Sequence, residues 1–374
     1  MFVGSLDRGQ GTNQPLGGIP CTKSPLLDAL LSLLGRHCPH IGAIGYVCPM
    51  ENTVRIDAAF IEENTHFPDL IDALDRSFAE KAALVPMRHH HDFPNPEVGG
   101  ESTLLLMPAW NPGREAGVKI ATVSPENGRF NLPAIQGIYI YLDALKGSIQ
   151  AILEAKSLTV KRTAAASALA SKYLSREDTK SMLMIGTGAL SPNLIRAHAS
   201  IRLIEEVFIW GRDYKKAERI CDLLKGQDFR ITPIKELEER LEQVDLISSA
   251  TLSPTPLVLG KHLKAGQHLD LVGAYRPHMR EADDMAVQKS EVFVDTYEGG
   301  LKESGDIVLP LKSGVLLQEN IKADLFALAA KKHRGREDRD QITFFKSVGH
   351  ALEDLTAATY YFDRFQKWGQ RLKP

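Results

Sequence analysis

Four apolar residues, Met182, Leu183, Met184 and Ile185, run straight into Gly186, Thr187 and Gly188, followed by Ala189, Leu190, Ser191 and Pro192. This order constrains the fold more than any other feature of the chain. A buried strand has to end in a tight turn, with a helix starting at once behind it. Gly186 serves the turn, and Gly188 lets the backbone approach a pyrophosphate. The free N–H groups and positive dipole end of the new helix favour a bound anion. Ser191 stands where the usual third glycine would, so the bare pattern is degraded and its context must carry the reading. Further short apolar runs at 207–210, 229–232, 246–249, 269–272 and 292–294 alternate with helical stretches. Six buried strands with crossovers imply a doubly wound parallel sheet, an α/β dinucleotide-binding (Rossmann) domain. The plainer alternative is a small-residue turn that only packs helix on sheet; the ordered strands make it the weaker one.

The end of the second strand bears on cofactor choice. An NAD-preferring site usually places an acid there for the ribose 2′-hydroxyl. Here the strand 207–210 is followed by Gly211, Arg212 and Asp213. Gly211 removes the acid and Arg212 can pair with a 2′-phosphate, so NADPH is expected to be preferred. Asp213 keeps NADH open, and its alternative use is to cap the helix that begins at Tyr214.

The preceding part has a different texture. A strand entering a turn is expected over 54–60, a helix over 69–84, and closely spaced strands over 103–107, 117–123 and 137–142. These suggest an antiparallel or mixed sheet. A helix over 158–174, capped by Thr159 or Thr163, follows, and 343–368 is expected to be helical and to return to the first domain. At 374 residues the chain exceeds one usual domain. The expected division is an extension over 1–49, poorly ordered and outside the catalytic unit; an α+β domain over 50–176 and 320–374; and the dinucleotide domain over 177–319. Lys plus Arg number 45 against 47 for Asp plus Glu, which removes the footprint of a nucleic-acid binder. No apolar run is long enough to span a membrane. Cys21, Cys38, Cys48 and Cys221 form no spaced disulfide framework, so a reducing, cytoplasmic setting is expected.

Three cations of the first domain sit in unusual company. Lys119 interrupts an apolar strand, Arg88 precedes His89, His90 and His91, and Arg162 opens a small-residue helical run. A lysine in a buried strand is costly unless it is paired or used. A snorkelling edge lysine is an equal alternative on periodicity alone, and surface ion pairs are the commoner fate of the two arginines. On an extended segment successive histidines face opposite sides, so the three cannot share one ion; no metal is expected.

These pieces together resemble the ornithine cyclodeaminase/mu-crystallin family. The resemblance is carried by Gly117 to Lys119, Leu158 to Ala165, Ile185 to Gly188, Trp210 to Arg212 and Ser347 to Asp354. It runs from about Met50 to Phe365. Within the family, Leu104 to Trp110 and the Arg88 histidine tract look most like the bacterial delta-1-pyrroline-2-carboxylate reductases, which reduce cyclic ketimines. The resemblance implies a mixed-sheet domain that forms a homodimer. It implies that Arg88, Lys119 and Arg162 bind a substrate carboxylate, with Lys119 catalytic beside the reacting carbon and nitrogen. It also implies cofactor contacts at Thr163, at Gly186, Thr187, Gly188, Ala189 and Leu190, at Gly211, Arg212 and Asp213, and at Ala250, Thr251, Val272 and Gly273.

The chain departs from the cyclodeaminase branch at two places. Tyr275 occupies the position of an acid that assists deamination, and Leu106 precedes Met107 where the family has a glutamate. A phenol cannot replace a carboxylate base at neutral pH. The expectation is therefore NAD(P)H-dependent reduction of a cyclic imino acid: delta-1-pyrroline-2-carboxylate to L-proline, or the six-membered analogue to L-pipecolate. Its rivals are ornithine cyclodeamination and a non-catalytic, mu-crystallin-like ligand binder.

Overall fold

Two sheets organise the chain. The computed structural model describes residues 53–371, so the expected extension over 1–49 lies outside the described residues. The first sheet contains β1 (Val54–Ile56), β2 (His89–Asn95), β3 (Gly100–Trp110), β4 (Glu115–Val123), β5 (Ile135–Asp143) and β6 (Ile149–Glu154). Its order is β1-β6-β5-β4-β3-β2, antiparallel except for the parallel pair β1 and β6. The strand expected over 54–60 stops at Ile56, because Asp57 accepts from the Phe60 N–H at 2.9 Å and caps a helix, α1 (Ala58–Glu63). α2 (Phe67–Glu80) follows, with Leu70, Ile71, Leu74 and Phe78 buried.

α3 (Ala155–Leu174) starts earlier than expected and is capped by neither threonine. Glu154 accepts from the backbone N–H groups of Lys156 and Ser157. Almost every face of α3 is buried, since its small residues let both sheets and their helices approach it.

The second sheet is parallel throughout and has eight strands. They are β7 (Ser181–Ile185), β8 (Glu206–Trp210), β9 (Arg230–Ile234), β10 (Leu246–Ser249), β11 (His268–Leu271), β12 (Ser290–Val294), β13 (Ile321–Asp324) and β14 (Ile342–Lys346). The order β13-β12-β14-β11-β10-β7-β8-β9 reverses direction next to β7, so the loops after β7 and β10 open a crevice at the strands' carboxyl ends. The helices used below are α4 (Ser191–Ala199), α5 (Tyr214–Leu223) and α6 (Ala351–Arg371).

The boundary expected at residue 320 is corrected. β13 and β14 complete the parallel sheet, and residues 343–346, expected as helix, form strand between β11 and β12. The chain returns to the first sheet only after Lys346. α6 then lies over β3, β4 and β5 and buries Leu352, Leu355, Ala358 and Tyr361. Burying each of the larger three contributes about 1.5–3 kcal/mol. That return brings the start of α6 onto the inner face of the first sheet, directly over Lys119.

Candidate active site

Lys119 lies on the inner face of β4, in register with Met107 on β3 and Tyr139 on β5. Its flanking inward positions, Gly117 and Ala121, leave room for its side chain to run under α6. The residue is 5% exposed, which decides against a snorkelling edge lysine. Its Nζ donates to Asp354 Oδ2 at 2.8 Å. Burial pulls the ammonium down to about 8; Asp354 opposes this, while Arg162 and Arg88 add to it.

Arg162 reaches the same carboxylate from α3. Its Nε donates to Asp354 Oδ1 at 2.9 Å and its Nη1 to Glu353 Oε2 at 2.7 Å. Burial pushes the Asp354 carboxyl up, but Arg162 and Lys119 together outweigh it and hold it below the usual carboxylate range. Arg162 stays charged: burial disfavours its cation, and the two acids overcome that. Gly349 makes this approach possible. Its φ is +82°, and a Cβ there would stand 2.6 Å from Arg162 Nη1.

Arg88 completes the group from the segment before β2. It donates to the Gly349 carbonyl and has Nε 3.3 Å from Glu303 Oε1. The three cations therefore share one site, bridged by Gly349 and Asp354. A cavity of about 600 Å³ opens from Arg88 along the inner face of the sheet, past Leu105 and Val123, and is faced by Tyr275. Of the three histidines, only His90 lines this cavity; all three are exposed on an edge strand.

Sequence reasoning missed the acids. Glu353 and Asp354 close the segment from Ser347 that carries the family resemblance, yet no role was read for them, and Glu303 lies in no such segment. The available signal was the pair Glu353 and Asp354 interrupting an apolar helical stripe at the point where buried cations needed counter-charge.

A second cleft, of about 550 Å³, lies at the carboxyl ends of β7, β8 and β10. Gly186, Thr187, Gly211, Arg212, Asp213, Ala250 and Thr251 line it. Gly186 has φ +118°, and a Cβ would stand 2.7 Å from the Ala250 carbonyl oxygen, so only glycine fits this turn. At Gly188 a Cβ would meet nothing within 4 Å, which leaves the backbone open to a ligand. The amino terminus of α4 has no side-chain cap, while Ser191 Oγ donates to the Gly186 carbonyl at 2.8 Å and braces the turn. An open turn below an uncapped helix end fits the pyrophosphate of a dinucleotide.

The remaining expected contacts are placed less directly. Thr163 is buried beside Arg162 on α3. Ala189 and Leu190 form the entry to α4, with Leu190 packed against the core. Val272 and Gly273 are buried, Gly273 against the Thr251 backbone, so they back the cleft instead of lining it. Asp213 accepts from the Lys215 N–H at 3.1 Å and caps α5, whereas Arg212 is exposed to the cleft.

Comparison with known proteins agrees with this fold. A model of the ornithine cyclodeaminase/mu-crystallin family matches residues 50–368. An uncharacterized protein of Schizosaccharomyces pombe is 43% identical, over 78% of this chain and 91% of that one. Delta(1)-pyrroline-2-carboxylate reductase of Paracoccus denitrificans is 33% identical, over 74% and 90% of the two chains. The solved structure of Thermococcus litoralis Delta(1)-pyrroline-2-carboxylate reductase, in complex with NADH and L-proline, is similar with a TM-score of 0.79. It is 30% identical and covers 85% of this chain and 98% of that one. The chain belongs to the ornithine cyclodeaminase/mu-crystallin family.

Proposed function

We propose that the chain is an oxidoreductase that uses NAD(P)H to reduce a cyclic ketimine carboxylate. Its substrates in this reading are delta-1-pyrroline-2-carboxylate, giving L-proline, and delta-1-piperideine-2-carboxylate, giving L-pipecolate. The observation that carries the reading is the convergence of Lys119, Arg162 and Arg88 in a buried site with no carboxylate at position 275. The similarity to two Delta(1)-pyrroline-2-carboxylate reductases, one of them solved with NADH and L-proline, supports it.

Arg162 and Arg88 have donors left over after their contacts with Glu353, Asp354 and Glu303, and these can take a carboxylate in a fork. Lys119 Nζ holds a proton for the ring nitrogen, which becomes a basic amine once hydride has reached the ring carbon. The bound nicotinamide supplies the hydride. The Gly186 turn and the α4 amino terminus would hold its pyrophosphate. Arg212 would take the 2′-phosphate of NADPH, the preferred cofactor in this reading.

Purified protein given delta-1-pyrroline-2-carboxylate should oxidise NADPH and NADH, the former at lower KM. Arg212→Ala should raise the NADPH KM by about 10-fold, the loss of one charge-assisted contact, and leave the NADH KM within twofold. Cofactor binding without turnover on any cyclic imine would exclude the reading. Ammonia release from ornithine without net cofactor oxidation would favour the lyase instead.

A homodimer belongs to the same reading. The outer face of the first sheet presents Leu106, Pro108, Val118, Ile120, Ile138 and Ile140, which are half-buried or exposed in the single chain. Such an apolar face calls for a partner, here a second copy. Ile138→Lys is expected to shift the mass in light scattering from dimer to monomer. An unchanged mass would remove this face from the interface. A cytoplasmic location is also proposed, supported by the free, buried thiol of Cys221.

A further inference from the structure

The cations of the active site are outnumbered. Lys119, Arg162 and Arg88 stand against Asp354, Glu353, Glu303 and Asp295. Asp295 lies behind them, its Oδ2 accepting the N–H groups of Val348 and Gly349, both at 2.7 Å. All but Arg88 and Glu303 are buried, and those two are less than a fifth exposed. With every group ionised, three positive and four negative charges leave the centre at net −1. A bare carboxylate would raise that to −2 in a medium that solvates charge poorly. Three acids already balance the three cations, so the fourth is surplus in a site that binds a simple anion.

We propose that the site selects a carboxylate that carries a cationic nitrogen beside it, and that a ligand lacking this positive charge binds only together with a proton taken up by Glu353. This rests on the cyclic ketimine reading and adds the protonation state, an iminium carboxylate. It also gives a reason for rejecting 2-oxo acids, which offer the same carboxylate and trigonal carbon without the charge.

Glu353 is the acid placed to accept the proton. Asp354 is held by two cations. Burial raises Asp295 too, but the backbone N–H groups of Val348, Thr296 and Gly349 oppose it. Burial also raises Glu303, but Arg88 and Lys302 oppose it, and it is the least buried of the four. Glu353 has one cation, Arg162, on Oε2 and only the His350 N–H, at 3.1 Å, on Oε1. The groups facing it are Arg162 from α3, Asp354 from its own helix, His350 before that helix, and Asp295 after β12, with Arg88 and Lys119 beyond. Burial pushes the Glu353 carboxyl up to about 7; Arg162 opposes this, and Asp295 and Asp354 add to it. Burial holds His350 down at about 4, so that ring is already neutral and cannot compete for the role.

The test uses the cofactor-loaded enzyme and two probes. Pyrrole-2-carboxylate is a planar anion without a basic nitrogen, and L-proline is a zwitterion. The Kd of pyrrole-2-carboxylate should rise about 20-fold from pH 6 to pH 8, about tenfold because only the form with Glu353 protonated binds it and about twofold from Lys119. Calorimetry in two buffers of different ionisation heat should show uptake of about one proton at pH 8. L-Proline should change by no more than about twofold, the share due to Lys119 beginning to lose its proton. In Glu353→Gln the slope for the anion should collapse to that of L-proline. A wild-type Kd that stays flat, or a Gln variant that keeps the slope, overturns the proposal; if the variant does not fold, the wild-type proton count decides alone. No turnover of any cyclic imine would overturn the functional reading and this one with it. Turnover with a flat slope overturns this one only.

Discussion

Lys119→Ala is expected to lower kcat on delta-1-pyrroline-2-carboxylate by about 10²–10⁴-fold, the range for loss of a positioned proton donor. Cofactor affinity, read by fluorescence titration, should hold within twofold, because Lys119 belongs to the first sheet and the dinucleotide cleft to the second. Fold integrity is protected by the geometry: Asp354 keeps Arg162 at 2.9 Å when Lys119 is gone. Lys119→Arg should not restore the rate. A guanidinium keeps the charge but does not release a proton near neutral pH. In the wild type, activity should be full below the lysine's value of about 8 and fall as pH rises through it, since the neutral amine has no proton to give. A fully active alanine variant would remove Lys119 from the chemistry.

The cations stood out in the sequence because they broke a local pattern, but their shared role came from the family resemblance. Lys119 stood in an apolar strand, and Arg162 preceded a run of small residues inside α3. Their counter-charges could not be read in the same way. Asp354 is 235 residues from Lys119 and 192 from Arg162, and only the return of the chain over the first sheet brings them together. The same return hid the last strand. Ile342–Lys346 runs without a strong break into the apolar stripe of α6, so the helical period absorbed residues that the parallel sheet claims. At α3 the cap was misplaced because Thr159 and Thr163 are good cap types, while Glu154, at the end of β6, is where the chain turns. The glycine turn was legible in full, since strand, turn and helix are contiguous and their constraints are local.

Asp354→Asn should move the alkaline limb of kcat/KM to lower pH. Asp354 is what holds the proton on Lys119 against burial and against repulsion from Arg162 and Arg88. Asparagine preserves shape and one acceptor but removes the charge, so the ammonium loses its counter-ion and titrates further below 8. The activity lost at pH 8 should therefore exceed that lost at pH 6, which separates a charge effect from simple disruption. A single amide oxygen cannot serve both Lys119 Nζ and Arg162 Nε as two carboxylate oxygens do, at 2.8 and 2.9 Å. One buried cation is left without its partner, which costs about 3–5 kcal/mol and should lower Tm accordingly. The pH profile between 6 and 9, paired with thermal unfolding, reads both effects. A destabilised variant whose alkaline limb stays near pH 8 would show that Asp354 anchors the two side chains without setting the charge of Lys119.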